Sequence, residues 1–269
     1  SGGGHTSAVR SDGRLYAWGD NTSGQLGQND VINRSSPTQI GATGGIGEYW
    51  LTTSTGSGVT YAVRSDNTLW SWGSNTAGQL GINDTLNRSS PIQIGSSSNW
   101  SSISTKTSHV LAINSLKQLY VWGYNNIGQL GQSDVFSRSS PVQISGSFSI
   151  ISAGSQASFA INAISNTLYS WGTGAFGILG TNDTISRSSP VQVNTSSYTS
   201  LSAGTSHTLL IDSLGNIYGF GRNNLYQLGL TSYTNILSSN NIGVDVVKLN
   251  DYSLWTWGSN DVGQLGQGD

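Results

Sequence analysis

The chain has 269 residues, of which 11 are Lys or Arg and 13 are Asp or Glu, so only 9% are charged, where soluble domains usually reach about 25%. A net charge of −2 with no Lys/Arg cluster excludes the electrostatic footprint of a nucleic-acid binder, and no apolar run approaches the ~20 residues of a membrane-spanning helix. Zero Cys removes disulfides, thiolate metal sites and cysteine nucleophiles. Gly takes 36 positions, nearly twice the usual share of ~7%. Ser, Thr and Asn fill roughly a third of the chain, yet 9 Trp, 11 Tyr and 5 Phe supply enough apolar surface for a folded core.

Tandem repetition organises the chain. WGDNTSGQLG starts at Trp18, WGSNTAGQLG at Trp72, WGYNNIGQLG at Trp122, WGTGAFGILG at Trp171, FGRNNLYQLG at Phe220 and WGSNDVGQLG at Trp257. These six anchors are 54, 50, 49, 49 and 37 residues apart. A second block follows the first four anchors: NDVINRSSPTQI, NDTLNRSSPIQI, SDVFSRSSPVQI and NDTISRSSPVQV.

Within each unit the sequence predicts strands. Runs such as HVLAI from His109 and HTLLI from His207 precede a polar turn, and LYVWG or IYGFG follows it. In the second run aromatics alternate, as in Trp70/Trp72, Tyr120/Trp122 and Tyr169/Trp171, while Leu69, Leu119 and Leu168 take the other face. Both faces are apolar, so each small sheet must be covered on both sides. Sheets stacked around an axis meet that need. The expected fold is all-β: one β-propeller domain over 1–269, built from repeats of about 50 residues, with six units visible in a six- or seven-bladed ring. Gly in the anchor block permits the sharp turn after a bulky strand. The Pro of each RSSP block belongs on an outer strand, where a missing N–H costs least. Asp30/Arg34, Asp84/Arg88, Asp134/Arg138 and Asp183/Arg187 recur at fixed spacing and predict one ion pair or loop hydrogen bond per blade.

The aromatic-Gly-x-Asn-x-x-Gly-Gln-Leu-Gly, Ser-x-Pro-x-Gln-Ile and Ala-Gly-x-x-His blocks resemble the regulator of chromosome condensation repeat family over nearly the whole chain. The resemblance implies a seven-bladed propeller with four-stranded blades. It does not fix a function, because the family includes a nuclear guanine-nucleotide exchange factor, a plant UV-B photoreceptor, secreted β-lactamase inhibitors and surface or virion-associated chains. Photoreceptor members place Trp in a Gly-Trp-Arg-His-Thr setting. Here the matching stretches read GGGHT at Gly2, KTSHV at Lys106 and GTSHT at Gly204, without Trp. The exchange factor's basic tail and inserted wedge have no counterpart either, which leaves exchange activity unsupported.

The absence of Met and the form of the two ends lead us to expect truncation at both termini. The sixth unit is short by about a strand near 243–252, for which we expect a broken or distorted joint between Leu249 and Tyr252.

Catalytic and metal signals are weak. His5, His109 and His207 hold one strand position in units one, three and five, with Val59 and Ala157 in units two and four. Three imidazoles meeting on an axis would bind zinc, but the favoured reading is a hydrogen bond from each to its own neighbouring turn. Gly172–Gly177 spells GxGxxG without the strand–turn–helix context that cradles a pyrophosphate. We therefore expect no catalytic residue, no cofactor and no metal.

The positions that depart from the repeat carry the functional expectation. Tyr124 and Arg222 follow an anchor Gly where small polar residues are usual. Phe176 stands where unit one has Ser23, Tyr226 replaces the turn Gly, and Phe136 and Tyr233 lie in the next loop. These six form the candidate protein-binding patch, since Tyr, Trp and Arg dominate interface energy. The structural anchors are Trp18, Trp72, Trp122, Trp171, Phe220 and Trp257. The expected function is a non-enzymatic protein-binding or structural scaffold on a cell or virion surface, or secreted, with protein partners, no nucleic acid and no membrane insertion. The alternative is a regulator of an enzyme or GTPase, as inhibitor or exchange factor. A component of a larger assembly is a third reading, and the composition leaves a cytoplasmic location open.

Overall fold

A computed structural model describes residues 3–41, 49–230 and 234–241. Blade one contains β1 (His5–Val9), β2 (Leu15–Gly19) and β3 (Arg34–Gln39). Blade two is β4 (Trp50–Thr55), β5 (Val59–Arg64), β6 (Leu69–Gly73) and β7 (Arg88–Gln93). Blade three is β8 (Trp100–Thr105), β9 (His109–Asn114), β10 (Leu119–Gly123) and β11 (Arg138–Ile144). Blade four holds β12 (Phe148–Ala153), β13 (Ala157–Asn162), β14 (Thr167–Gly172) and the first part of β15 (Arg187–Ala203). The same long β15 continues into blade five, which β16 (His207–Asp212), β17 (Ile217–Gly221) and β18 (Ile236–Asn241) complete.

Neighbouring strands pair antiparallel throughout, and the register explains the aromatic alternation. Trp122 lies opposite Val110, and Trp72 opposite Thr60. At each of the five described anchors the pairing to the outermost strand shifts, between Ala17 and Gly19, Ser71 and Gly73, Val121 and Gly123, Ser170 and Gly172, and Gly219 and Gly221. This repeated irregularity releases the chain from the sheet into the anchor loop. The proline-bearing strands β3, β7 and β11 are the last of their sheets, as a residue without an N–H requires.

The core lies between the blades. One cluster joins Tyr61, Leu69 and Leu80 of blade two to Trp100, Val110 and Trp122 of blade three. Another joins Leu111, Leu119 and Leu130 to Phe148 and Trp171. A third joins Phe159, Leu168 and Leu179 to Tyr198, Leu210 and Phe220. Trp72, Trp122, Trp171 and Phe220 are fully buried. Trp18, expected as an equal anchor, is only half-buried, because no preceding blade among the described residues covers it. Trp257, Tyr233 and the expected joint near 243–252 lie outside the described residues.

Each blade sheet zigzags from its inner to its outer strand. The turn after the first strand and the long loop after the third therefore emerge on one face of the ring. The hairpin between the second and third strands emerges on the opposite face. The inner strands β4, β8, β12 and the second part of β15 pack against one another around the centre.

Candidate functional site

The anchor loops form the candidate face. In blades one to three a buried Asn folds each loop: Asn125 Nδ2 donates to the Asp134 carbonyl and carboxylate at 3.2 and 3.0 Å, while its Oδ1 accepts the Leu130 N–H at 2.8 Å. Asn21 and Asn75 make the same contacts with Asp30 and Leu26, and with Asp84 and Leu80. The repeated ion pairs follow, with Arg Nη2 to Asp Oδ2 distances of 2.5–2.6 Å for Asp30/Arg34, Asp84/Arg88, Asp134/Arg138 and Asp183/Arg187. The Phe136 N–H first, and the Arg138 guanidinium with it, hold the Asp134 carboxyl below the usual carboxylate range.

Each clamp grips the backbone of an apolar residue whose side chain remains in water. The Phe136 N–H donates to Asp134 at 3.0 Å and its carbonyl accepts from Arg138 at 2.7 Å. Ile32, Leu86 and Ile185 are held by their own Asp/Arg pairs. Their exposures of 61–69% make Phe136 the aromatic member of a recurring series rather than a departure peculiar to blade three.

Of the sequence-selected residues, the structure brings Phe176 and Arg222 together. The Arg222 guanidinium lies 5.1 Å from the Phe176 ring centroid, across the boundary of blades four and five. Phe176 is 43% exposed and sits at φ 59°, in the left-handed region that bulky side chains avoid. Tyr226, half-buried, holds φ 56° where Gly24, Gly78, Gly128 and Gly177 hold 74–83° in the other blades. Among the described residues these are the only aromatics in that region. Tyr124 is exposed, but it belongs to blade three; its counterpart Ser74 flanks, with Ser23, the space over Gly58 at the preceding blade boundary. Its repeat position puts Tyr124 at the boundary of blades two and three, two boundaries from Phe176. Leu225, 49% exposed in the same loop as Arg222 and Tyr226, escaped the sequence reading. Its signal is the series Ser23, Ala77, Ile127, Phe176, Leu225, in which one loop position turns from small to large along the chain.

The histidines serve the blade boundaries. His5 Nε2 lies 2.7 Å from Thr60 Oγ1, and His109 Nε2 lies 3.0 Å from Ser158 Oγ, each on the following blade. For these two the expected partner, the residue's own turn, is therefore wrong; the His207 ring does lie beside Gly204 of its own turn. Burial pushes both imidazoles down to about 4 and keeps them neutral near pH 7. The Gly172–Gly177 stretch forms a single 3₁₀ turn, Ala175–Gly177, and leads to β15, so the helix that a dinucleotide motif needs does not follow. No helix among the described residues is long and apolar enough to cross a membrane.

This geometry defines a repeat β-propeller that presents one loop-built face. A family model, RCC1-like domain, matches residues 1–269, and the chain belongs to that family. It is 38% identical over 87 residues to the ultraviolet-B receptor UVR8 of Arabidopsis thaliana, covering 32% of this chain and 19% of that one. It is 32% identical over 91 residues to the probable E3 ubiquitin-protein ligase HERC3 of Homo sapiens, covering 34% and 8%. Both matches span less than a fifth of the relative's length. Among solved structures, Prp20p from Saccharomyces cerevisiae superposes with a TM-score of 0.78 at 20% identity, over 91% of this chain and 62% of that chain. That likeness shows the shared fold.

Proposed function

We propose that the chain is a non-enzymatic protein-binding propeller whose anchor-loop face docks a partner at the boundary of blades four and five. The observation that carries this reading is Phe176, held exposed at positive φ under the Arg222 guanidinium. An aromatic in left-handed backbone costs about 1–2 kcal/mol, and strain of this kind concentrates at functional sites. Leu225 and Tyr226 extend the surface with residues suited to an interface core. Placement on a cell or particle surface, or secretion, belongs to this reading and rests on the sparsely charged, Ser/Thr/Asn-rich composition alone.

The test is capture of partners on the intact chain, followed by affinity measurement with Phe176→Ser and Arg222→Asp, the residues that blade one carries at these positions. The double variant weakens the authentic partner about tenfold or more. Leu116→Ser with Ile164→Ser, on hairpins of the opposite face, leaves it unchanged. Equal binding by all variants would overturn the placement.

A second reading, regulation of a GTPase, draws support from Prp20p, described with binding properties to Gsp1p and histones. Nucleotide release from a panel of small GTPases, accelerated by the chain and lost in the same double variant, would favour it over a passive scaffold.

A further inference from the structure

A cavity of about 530 Å³ opens at the centre of the ring, bounded by Gly3 and by the inner strands and turns of blades two to five. Its size falls within the range of small-molecule sites, roughly 300–1,000 Å³. Its side-chain walls are Ser and Thr with Ala153, Ala203 and one charged residue, Lys106; among the described residues no carboxylate and no aromatic lines it.

Lys106 breaks the repeat. In the turn after the inner strand the units of blades two, four and five carry Gly56, Gly154 and Gly204. Among the described residues no carboxylate lies within 4 Å of its ammonium, whose one hydrogen bond runs 3.4 Å to the Ala203 carbonyl on the far side of the channel. Its charge is felt there: burial first, and Lys106 second, hold the His207 imidazole below its ordinary value.

The hydroxyls add hydrogen-bond donors. Thr105 and Thr107 spend theirs on the carbonyls of His109 and Ser155. Ser104 and Ser152 instead accept the N–H groups of Ala153 and Ala203, which leaves their own hydrogens to give. Thr55 lines the cavity, but its Oγ1 is buried beneath the wall. The described wall of the cavity is thus rich in hydroxyls and carries one positive charge that no described carboxylate neutralises.

We propose that the axial cavity binds a small hydroxylated molecule bearing an oxyanion, of the sugar phosphate or sugar carboxylate class. Lys106 takes the charge, while Ser104 and Ser152 donate to its oxygens. This site is separate from the Phe176–Arg222 surface and does not depend on it.

Calorimetric titration of the full chain with glucose 6-phosphate, gluconate, glucose and inorganic phosphate tests the assignment. At least one sugar anion binds, with glucose about tenfold weaker or more, and whichever anion binds better identifies phosphate or carboxylate as the charged group. Lys106→Gln and Lys106→Gly, the latter installing the residue of blades two, four and five, each lower that affinity about tenfold. Silence with both sugar anions overturns the proposal, as does undiminished binding by the Lys106 variants. Binding of polyglutamate alone overturns it in favour of an acidic polypeptide.

Discussion

The boundary between blades three and four differs from the one between blades four and five in how it is fastened. At the first, the Gln129 carbonyl accepts Trp171 Nε1–H at 2.9 Å and the Ser158 hydroxyl at 2.7 Å, and His109 shares that hydroxyl. The boundary of blades one and two repeats the arrangement with Gln25, Trp72, Thr60 and His5. At the boundary of four and five, Ile178 replaces the Gln, Phe220 the Trp and Ala157 the His, while Thr208 keeps a buried hydroxyl that lacks a partner. Apolar contact remains, with the Phe159 and Phe220 rings 6.3 Å apart. The boundary that gives up its internal polar fastening is the one that carries Phe176 and Arg222 on its surface.

The largest effect expected is from an anchor. Trp122 is fully buried, donates to the Gln79 carbonyl at 2.9 Å and packs against Tyr61 and Trp100. Trp122→Ala lowers stability by about 3–5 kcal/mol through cavity formation, whereas Trp122→Phe, the choice made naturally at Phe220, costs about 1–2 kcal/mol, since the Tyr61 hydroxyl still donates to the Gln79 carbonyl. Chemical denaturation of both variants separates packing from hydrogen bonding. A Phe variant as damaging as the Ala variant would show that the N–H decides the fastening.

Acid separates the two boundaries next. Burial holds His109 at about 4, below its ordinary 6.5, so the folded state favours neutral imidazole. Its contribution is complete above pH 6.5 and is lost as pH falls from there through 4, because the unfolded chain takes the proton first. The full swing is on the order of 3 kcal/mol. The position equivalent to His109 on blade four is Ala157, which contributes no such swing. His109→Val, copying the Val59 of blade two, flattens the fall in stability between pH 7 and pH 4.5. An unchanged slope would place the acid sensitivity elsewhere.

Much of this was legible in the sequence, and the failures share a cause. The anchor spacing marked the blade boundaries because a large aromatic every 49–54 residues must fill the same kind of gap. The Asp/Arg pairs were legible because their contacts are four residues apart. The partners of His5 and His109 were not, since Thr60 and Ser158 stand 55 and 49 residues away, a distance only the ring closes. Ile32, Leu86, Phe136 and Ile185 recur in every clamp yet stay exposed, so recurrence alone does not separate a buried scaffold from a displayed side chain. Lys106 escaped because the departures were sought in the anchor loops, while it lies in the short turn at the axis.

The smallest effect sharpens the comparison most. Thr60 and Thr208 occupy equivalent, fully buried positions on blades two and five. Thr60 Oγ1 donates to the Gln25 carbonyl at 2.8 Å and meets His5 Nε2 at 2.7 Å. Thr60→Val strands that imidazole nitrogen and costs about 1–3 kcal/mol. Thr208→Val has nearly the same shape and removes a hydroxyl that no group among the described residues satisfies. That change is neutral or stabilises by up to about 1 kcal/mol, since the unpaired hydroxyl was already a cost of folding. Paired urea denaturation of the two variants reads the difference directly. Opposite signs confirm that one boundary is fastened by polar contacts and the other is not, whereas equal losses would mean that Thr208 has a partner and the two boundaries are alike.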